Sequence, residues 1–332
     1  MKTWSTIYGP VYSWRLGVSL GIDPLKPPKT CTFDCIYCQL GKTIKKVSKP
    51  EDSPSYVSVE KIVKDLKETL KRVDIGNIDY LTFSGAGEPT LNPNLAKIVR
   101  EIRRLVNDKP IAILTNSSLL DRETVRENLR KIDLVIAKLD APNQKLLKRI
   151  NRPSKGITLD SIIEGLKKFR KETNAKLAIQ TMFIKSTAKN RSFNTEKNVV
   201  EGLVKIIEKI SPDEVQINIP TRPPSESHII PPKTQEMEKI LKIFRVKLSG
   251  IKIVSRIDKI KEKKLTKKEI SSDLEERIIE TLKRRPCSLQ DLTKVFGMPR
   301  KVLDFHLTKL VSIGKVSVLK YRGLTYYRLS LS

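Results

Sequence analysis

Between residues 16 and about 255, short apolar runs alternate with amphipathic segments of helical period, and this alternation restricts the fold more than any other feature. The apolar runs fall at 16–22, 80–84, 111–115, 134–139, 176–184 and 214–219. Between them the helical pattern recurs near 59–73, 94–107, 121–131, 159–172, 196–210 and 233–248. Strands joined through helices pair in parallel by right-handed crossovers, and strands buried on both faces read as unbroken apolar runs. The predicted fold class is therefore α/β, built of about six units. Six are too few for a closed eight-stranded barrel, so a partial (β/α)6 TIM-like barrel or open sheet is expected. Ligands of such sheets gather at the carboxyl ends of the strands, and every motif below falls there.

The pattern changes toward the C-terminus. Residues 256–271 are charged and free of aromatics, and read as a basic linker. From 272 to 332, Leu274, Ile278, Ile279 and Leu282 mark one helical face. A second helix over 288–296 has Ser288 as its cap and Gly297 as its stop. A third, from Pro299 to about 313, places Val302, Leu303, His306, Leu307 and Leu310 on its apolar face, with Arg300, Lys301, Thr308 and Lys309 pointing elsewhere. Two strand-like runs, 315–321 and 324–329, flank a predicted Arg322-Gly323 hairpin turn. This order resembles a winged-helix domain. The expected division is a core over 1–255, a linker over 256–271 and a winged helix over 272–332.

No stretch approaches a membrane span, and residues 1–17 lack the apolar segment and cleavage site of a secretory signal, so a cytoplasmic protein without membrane contact is expected. The formal net charge is +28. Such a surplus attracts polyanions through counterion release, which points to nucleic acid; lysine-rich surfaces also occur in proteins of hot-living organisms. Three of the four cysteines lie within eight residues, a pattern of metal binding or redox chemistry rather than of a disulfide framework.

Those cysteines form Cys31-x3-Cys35-x2-Cys38 in the loop after the first run. Three thiolates can hold three irons of a cubane and leave the fourth iron without a protein ligand, open to an outside chelator such as the amino and carboxylate groups of a methionine. Cluster potentials reach about −700 mV at their low end, reducing enough for difficult electron transfers. A structural zinc site needs four ligands; the two histidines and Cys287 lie far away in the sequence. Cys287 reads as a buried small apolar residue.

The cysteine spacing resembles that of the radical S-adenosylmethionine (SAM) superfamily. Tyr37 fills the aromatic position before the third cysteine, and Ser84-Gly85-Ala86-Gly87-Glu88 is similar to the family's Gly-Gly-Glu motif. The resemblance implies a [4Fe–4S] cluster on Cys31, Cys35 and Cys38, and a SAM site of Tyr37, Ser84, Gly85, Ala86, Gly87, Glu88, Asn116 and Asp140. It implies reductive cleavage of SAM to methionine and a 5′-deoxyadenosyl radical, with electrons from a ferredoxin or flavodoxin type donor. The physics agrees: glycines admit a ligand close to the backbone, and a carboxylate pairs with an ammonium. The segments 8–22 and 218–226 further resemble radical SAM proteins grouped with the tRNA wyosine-synthesis enzyme. That enzyme carries additional cysteines for a second cluster, which this chain lacks.

For substrate, Arg222, Glu226 and His228 follow the sixth run in a proline-rich loop at the expected mouth. The favoured function is hydrogen abstraction from a nucleic-acid substrate, a tRNA, held by the basic surface and the winged helix. Modification of a protein or peptide, or a cluster-bearing redox sensor that binds DNA, are the alternatives.

Overall fold

The computed structural model describes residues 4–188, 193–257 and 274–330. Eight strands form one sheet: β1 Ile7–Ser13, β2 Gly17–Ile22, β3 Tyr80–Phe83, β4 Ile111–Thr115, β5 Leu134–Lys138, β6 Lys176–Met182, β7 Glu214–Asn218 and β8 Lys252–Ser255. Spatial order equals sequence order; β1 runs antiparallel to β2, and β2 to β8 are all parallel. The expected six parallel strands are thus seven, with an antiparallel edge added. Both additions had weak signals. β8 is four residues long and opens on an exposed lysine, while Pro10 interrupts β1, where the register shifts between Tyr8 and Val11. Among the described residues β1 and β8 do not pair with each other, so the sheet stays open as a partial barrel would.

Helices α1 Val59–Leu70, α2 Leu95–Leu105, α3 Glu123–Leu129, α4 Gln144–Ile150, α5 Leu159–Glu172, α6 Lys197–Ile210 and α7 Thr234–Lys247 fill the connections. Their apolar stripes cover one face of the sheet, where Leu20, Ile22, Leu81, Phe83, Ile113, Val135, Ile179 and Val215 are buried. Alternate strand positions point the other way. There Leu16, Ala112, Ile136 and Ala178 make a small separate cluster near the amino ends of the strands. Polar residues replace them toward the carboxyl ends, where Ser19 meets Thr82 and Gln180 donates to Gln216. The inner face is therefore closed by carbon at one end and lined with hydrogen-bonding groups at the other.

The C-terminal residues form α8 Leu274–Arg284, β9 Cys287–Ser288, α9 Leu289–Phe296, α10 Arg300–Ser312, β10 Val316–Tyr321 and β11 Leu324–Leu329, with sheet order β9-β11-β10. A second core of Ile278, Leu282, Cys287, Leu292, Leu303, Leu307 and Leu310 holds them together. Ser288 caps α9 by accepting from Asp291 N, and Gly297 ends it at φ 64°. Arg322 and Gly323 both take positive φ, 52° and 73°, as the tight hairpin requires. One expectation needs correction: His306 is not packed on the apolar face but lies at its edge, with Nδ1 2.9 Å from Glu275 Oε1. Of the expected linker, residues 258–271 lie outside the described residues.

This C-terminal unit sits against the sheet. Tyr326 donates its hydroxyl hydrogen to Thr221 O at 2.8 Å, and Arg284 donates to Ser5 O at 2.7 Å.

The larger core has an aromatic centre beneath β6, where buried Phe183 meets Phe244 edge-on at 6.0 Å between centroids. Phe183→Ala is expected to lower the unfolding free energy by about 3–5 kcal/mol. In urea titration the midpoint should fall while the slope is unchanged.

Candidate active site

The cysteine loop is fastened on three sides by backbone bonds. Thr30 pairs with Gly87 in a parallel bridge, with Thr30 N donating to Ala86 O at 2.9 Å and Glu88 N to Thr30 O at 3.1 Å. On the far side, Asp34 N donates to Asn151 O at 3.0 Å, Ile36 N to Ile150 O at 3.0 Å and Ser154 N to Thr32 O at 2.8 Å. From the β7 loop, Ser225 Oγ donates to Cys35 O at 2.9 Å and Glu226 N to Ile36 O at 3.1 Å. The loop is a rigid platform although it carries almost no regular structure.

Cys31 and Cys35 are buried and Cys38 is partly buried; none of the three is in a disulfide. Hydrogen-bond donors reach toward sulfur: Phe33 N and Asn116 Nδ2 to Cys31 at 3.4 and 3.5 Å, and Asn151 Nδ2 to Cys35 at 3.4 Å. Burial and the nearby Glu88 push the Cys31 thiol up to about 12; burial, Cys38 and Asp140 push Cys35 up to about 11. Lys29 stands beside all three sulfurs. Burial opposes its charge, yet the thiolates outweigh burial and raise its pKa. Among the described residues no three His, Cys, Asp or Glu side chains gather closely enough for one ion. A cubane spreads its irons over separate corners, so its thiolates need not converge on one point. Three thiols on one rigid loop, ringed by N–H donors, fit such a cluster.

The glycine turn packs against this platform. A Cβ on Gly87 would stand 1.6 Å from Thr30 O, so only glycine permits the pairing. Gly85, at φ 154°, lies over Asp23, and a Cβ there would meet the Asp23 carboxylate at 2.1 Å. Asp23 accepts from Ala86 N with both oxygens, at 3.1 and 3.0 Å, and from Leu25 N at 3.2 Å. Glu88 turns inward. Its Oε1 accepts from Thr115 Oγ1 at 2.6 Å and Thr90 Oγ1 at 2.7 Å, and its Oε2 from Asn116 N at 2.7 Å. Glu88 therefore ties the turn to the end of β4. Asn116 passes the connection on, donating to Thr32 Oγ1 at 2.7 Å.

Tyr37 and Asp140 are directly bonded, the phenol donating to Asp140 Oδ2. Asn151 donates to the same oxygen at 2.8 Å, and Met182 N donates to Oδ1 at 2.8 Å. Lys138 Nζ sits 4.7 Å from the Tyr37 ring centre. Glu226 and His228 lie beside the cysteine loop: Glu226 Oε1 accepts from Arg152 at 2.7 Å, and its other oxygen is 4.0 Å from His228 Nδ1. Arg222 points away from them, its Nε donating to Pro286 O of the C-terminal unit at 3.1 Å.

Sequence reading missed Asp23, Asn151, Lys138, Tyr8 and Arg284. Arg284 is the least expected of them. This residue of α8 is 4% exposed, with Nε 3.5 Å from Asp23 Oδ2 and its guanidinium 4.6 Å from the Tyr8 ring centre. The Tyr8 hydroxyl in turn lies 2.5 Å from Ser84 Oγ. A residue some two hundred positions downstream thus braces the glycine turn through two neighbours. The aspartate immediately after a strand that ends beside a glycine turn was a usable signal; nothing local to Arg284 announced its role.

The family model described as the Radical SAM superfamily matches residues 25–187, which span the cysteine loop and the turn. A UPF0026 protein of Methanocaldococcus jannaschii is 36% identical over 96% of this chain and 94% of its own length. A probable dual-specificity RNA methyltransferase of Endomicrobium trichonymphae is 25% identical over 69% of this chain and 63% of its own. Among solved structures, a radical SAM methyltransferase from Sphaerobacter thermophilus superposes with a TM-score of 0.53 at 15% identity, covering 72% of this chain and 65% of that one, a likeness of fold. Enzymes of the superfamily use a [4Fe–4S] cluster and SAM.

Two outcomes follow from the geometry. Cys35→Ala should lose iron from the anaerobically reconstituted protein and abolish formation of 5′-deoxyadenosine, read by iron assay and chromatography. Burial raises the Asp23 carboxyl to about 6, with Arg284 and the Ala86 amide pulling partly back. Relative to an unfolded pKa of 3.8, a raised folded value means that Asp23 favours folding below about pH 4 and that this contribution is lost as pH rises through about 6. The turn behaves oppositely, because protonation weakens its charge-assisted bonds, each worth about 1.5–3 kcal/mol. The KM for SAM should therefore rise about 10-fold as pH falls below 6, and Asp23→Asn should show the raised KM at every pH. With a relative alike over nearly its whole length, the chain belongs with the UPF0026 proteins, and the family model lying over this platform and turn makes it a radical SAM enzyme.

Proposed function

We propose that this chain is a single-cluster radical SAM enzyme acting on tRNA in the cytoplasm, with a core over 1–255, a linker over 256–271 and a winged helix over 272–332 as its RNA arm. When bound, a [4Fe–4S] cluster would pass one electron to SAM, releasing methionine and a 5′-deoxyadenosyl radical. Cys31, Cys35 and Cys38 would hold it. Ser84 to Gly87 would receive the methionyl group against the backbone, and Tyr37 with Asp140 would border the nucleoside. A ferredoxin or flavodoxin type donor would supply the electron. The branch likeness to wyosine synthesis, in 8–22 and 218–226, supports a tRNA substrate. The relative named for RNA methylation supports the nucleic-acid class. With four cysteines, Cys287 among them fully buried in the second core, the chain has no set for a second cluster.

The observation that carries the RNA reading is the exposed side of α10. Phe305 is 68% exposed there, in a depression whose other walls are Lys301, Asp304, Thr308, Lys309 and Ser312. A bare aromatic between lysines suits an unpaired base, which stacks on the ring while its phosphates meet the ammonium groups. The net charge of +28 supplies the wider attraction. No described helix is long and apolar enough to cross a membrane.

The reading is tested by comparing modified nucleosides, by mass spectrometry, in tRNA from cells with and without the protein. Loss of one nucleoside is the expected result; an unchanged profile overturns it. In binding assays, Phe305→Ala should cost about 1–3 kcal/mol of tRNA affinity. Lys301→Glu with Lys309→Glu should flatten the salt dependence by roughly two ions.

A further inference from the structure

The last residue of α8 belongs to the C-terminal unit, yet it bears on the glycine turn of the core. Arg284 is buried, with one amino group donating to Ser5 O at 2.7 Å, just ahead of β1. The other donates within α8, to Glu280 O at 2.8 Å and Glu280 Oε2 at 2.5 Å. Glu280 is shared, however, because its second oxygen accepts from Lys283 at 2.6 Å. At this end α8 therefore sets two cations against one acid. The surplus faces Asp23, whose Oδ2 lies 3.5 Å from Arg284 Nε. Among the described residues Nε has no hydrogen-bond partner, so charge holds this pair together.

The guanidinium acts on the turn from two sides. It lies against Asp23, which accepts from Ala86 N with both oxygens. It also lies 4.6 Å from the centre of the Tyr8 ring, whose hydroxyl meets Ser84 Oγ at 2.5 Å. Ser84 and Ala86 flank Gly85, so the two routes close on the middle of the turn. Two glycines clear the space they need. A Cβ on Gly85 would meet the Asp23 carboxylate at 2.1 Å, and one on Gly21 would meet the Tyr8 ring at 2.2 Å. Arg285 also acts on Tyr8. On the α1 side, Asp23 N donates to Thr6 O at 2.8 Å, and Thr6 N donates to Asp65, which Lys61 pairs at 2.6 Å.

A buried ion pair is weak evidence of stabilisation, since apolar side chains of similar volume often serve as well. What this pair supplies is charge on Asp23, and a charged carboxylate holds an amide roughly twice as firmly as a neutral acceptor does. We propose that Arg284 is a positioning residue for the glycine turn, through which docking of the C-terminal unit and binding of SAM strengthen one another. The coupling rests on Ser84 to Gly87 being the seat of the methionyl group. It is reciprocal: α8 in place favours SAM in the turn, and SAM in the turn favours α8 in place.

The test uses the full-length reconstituted protein. In the wild type, SAM should bind in calorimetry and should slow amide exchange over residues 278–284, read by mass spectrometry. Arg284→Met should weaken SAM binding about 10-fold at pH 7. Arg284 opposes the burial that raises the Asp23 carboxyl to about 6. Without it Asp23 takes up its proton at higher pH, so the fall in SAM affinity should move upward by about one pH unit. Arg284→Lys keeps the charge and loses the fork; it should retain the wild-type pH profile even where its melting temperature falls. A residue serving stability alone would lower the melting temperature of both variants and leave both profiles in place. A wild-type profile in Arg284→Met, or identical profiles in the two variants, overturns the proposal. The exchange measurement needs no variant. SAM binding that leaves exchange in α8 unchanged overturns the coupling alone, whereas a reconstituted wild type that binds no SAM overturns the functional reading together with it.

Discussion

The parallel pairing of Thr30 with Gly87 is the contact on which the rest of the active end depends. It joins two loops that follow different strands, one bearing the thiols and the other the glycine turn, through backbone bonds at 2.9 and 3.1 Å. Side chains cannot drift between rotamers and disturb it, because none takes part. A glycine is obligatory at one partner, since any Cβ would overlap the Thr30 carbonyl. The distance between the cysteine loop and the glycine turn is thereby set by main-chain geometry, which is the stiffest material a fold possesses.

Around that pairing lies a second layer of buried polar groups. Glu88, Asn116, Asp140 and Asn151 all sit below one-tenth exposure, and nearly all their oxygens and nitrogens have protein partners. A buried polar group left without a partner costs about 1–3 kcal/mol, so a network of this size is tolerable only when it is almost fully satisfied. Asn151 Oδ1 is the visible exception, an acceptor with no donor among the described residues, beside Cys35 and Asp140. The network replaces regular secondary structure as the means of holding the cysteine loop, and it does so with residues drawn from the turn after β3 and the ends of β4, β5 and α4.

How much of this was legible in the sequence varies with the range of the interaction. Strands β2 to β7 and the crossover helices could be read because their apolar periods are local and uninterrupted. β8 could not, being too short to show a period, and Pro10 masked β1. The thiols were legible from spacing alone, and the turn from its glycines. The direction of Glu88 was not legible: the sequence suggests a carboxylate offered to a ligand, while the fold spends both oxygens on β4 and the turn. Arg222 stood in a loop correctly placed near the mouth, but its side chain reaches Pro286, a contact that depends on how the last sixty residues pack. Phe305 lay one position from a histidine that attracted attention instead.

The brace supplied by Arg284 has a bearing on how the protein is made. A chain growing from its N-terminus has emerged through Gly87 long before Arg284 is added. At roughly 5–20 residues per second, some two hundred further residues take on the order of 10–40 seconds. Throughout that interval Asp23 lacks its cationic neighbour and Tyr8 lacks the guanidinium over its ring. The glycine turn therefore reaches its finished form only after α8 has been synthesised and folded against β1, so that the candidate site is among the last parts of the nascent protein to be completed.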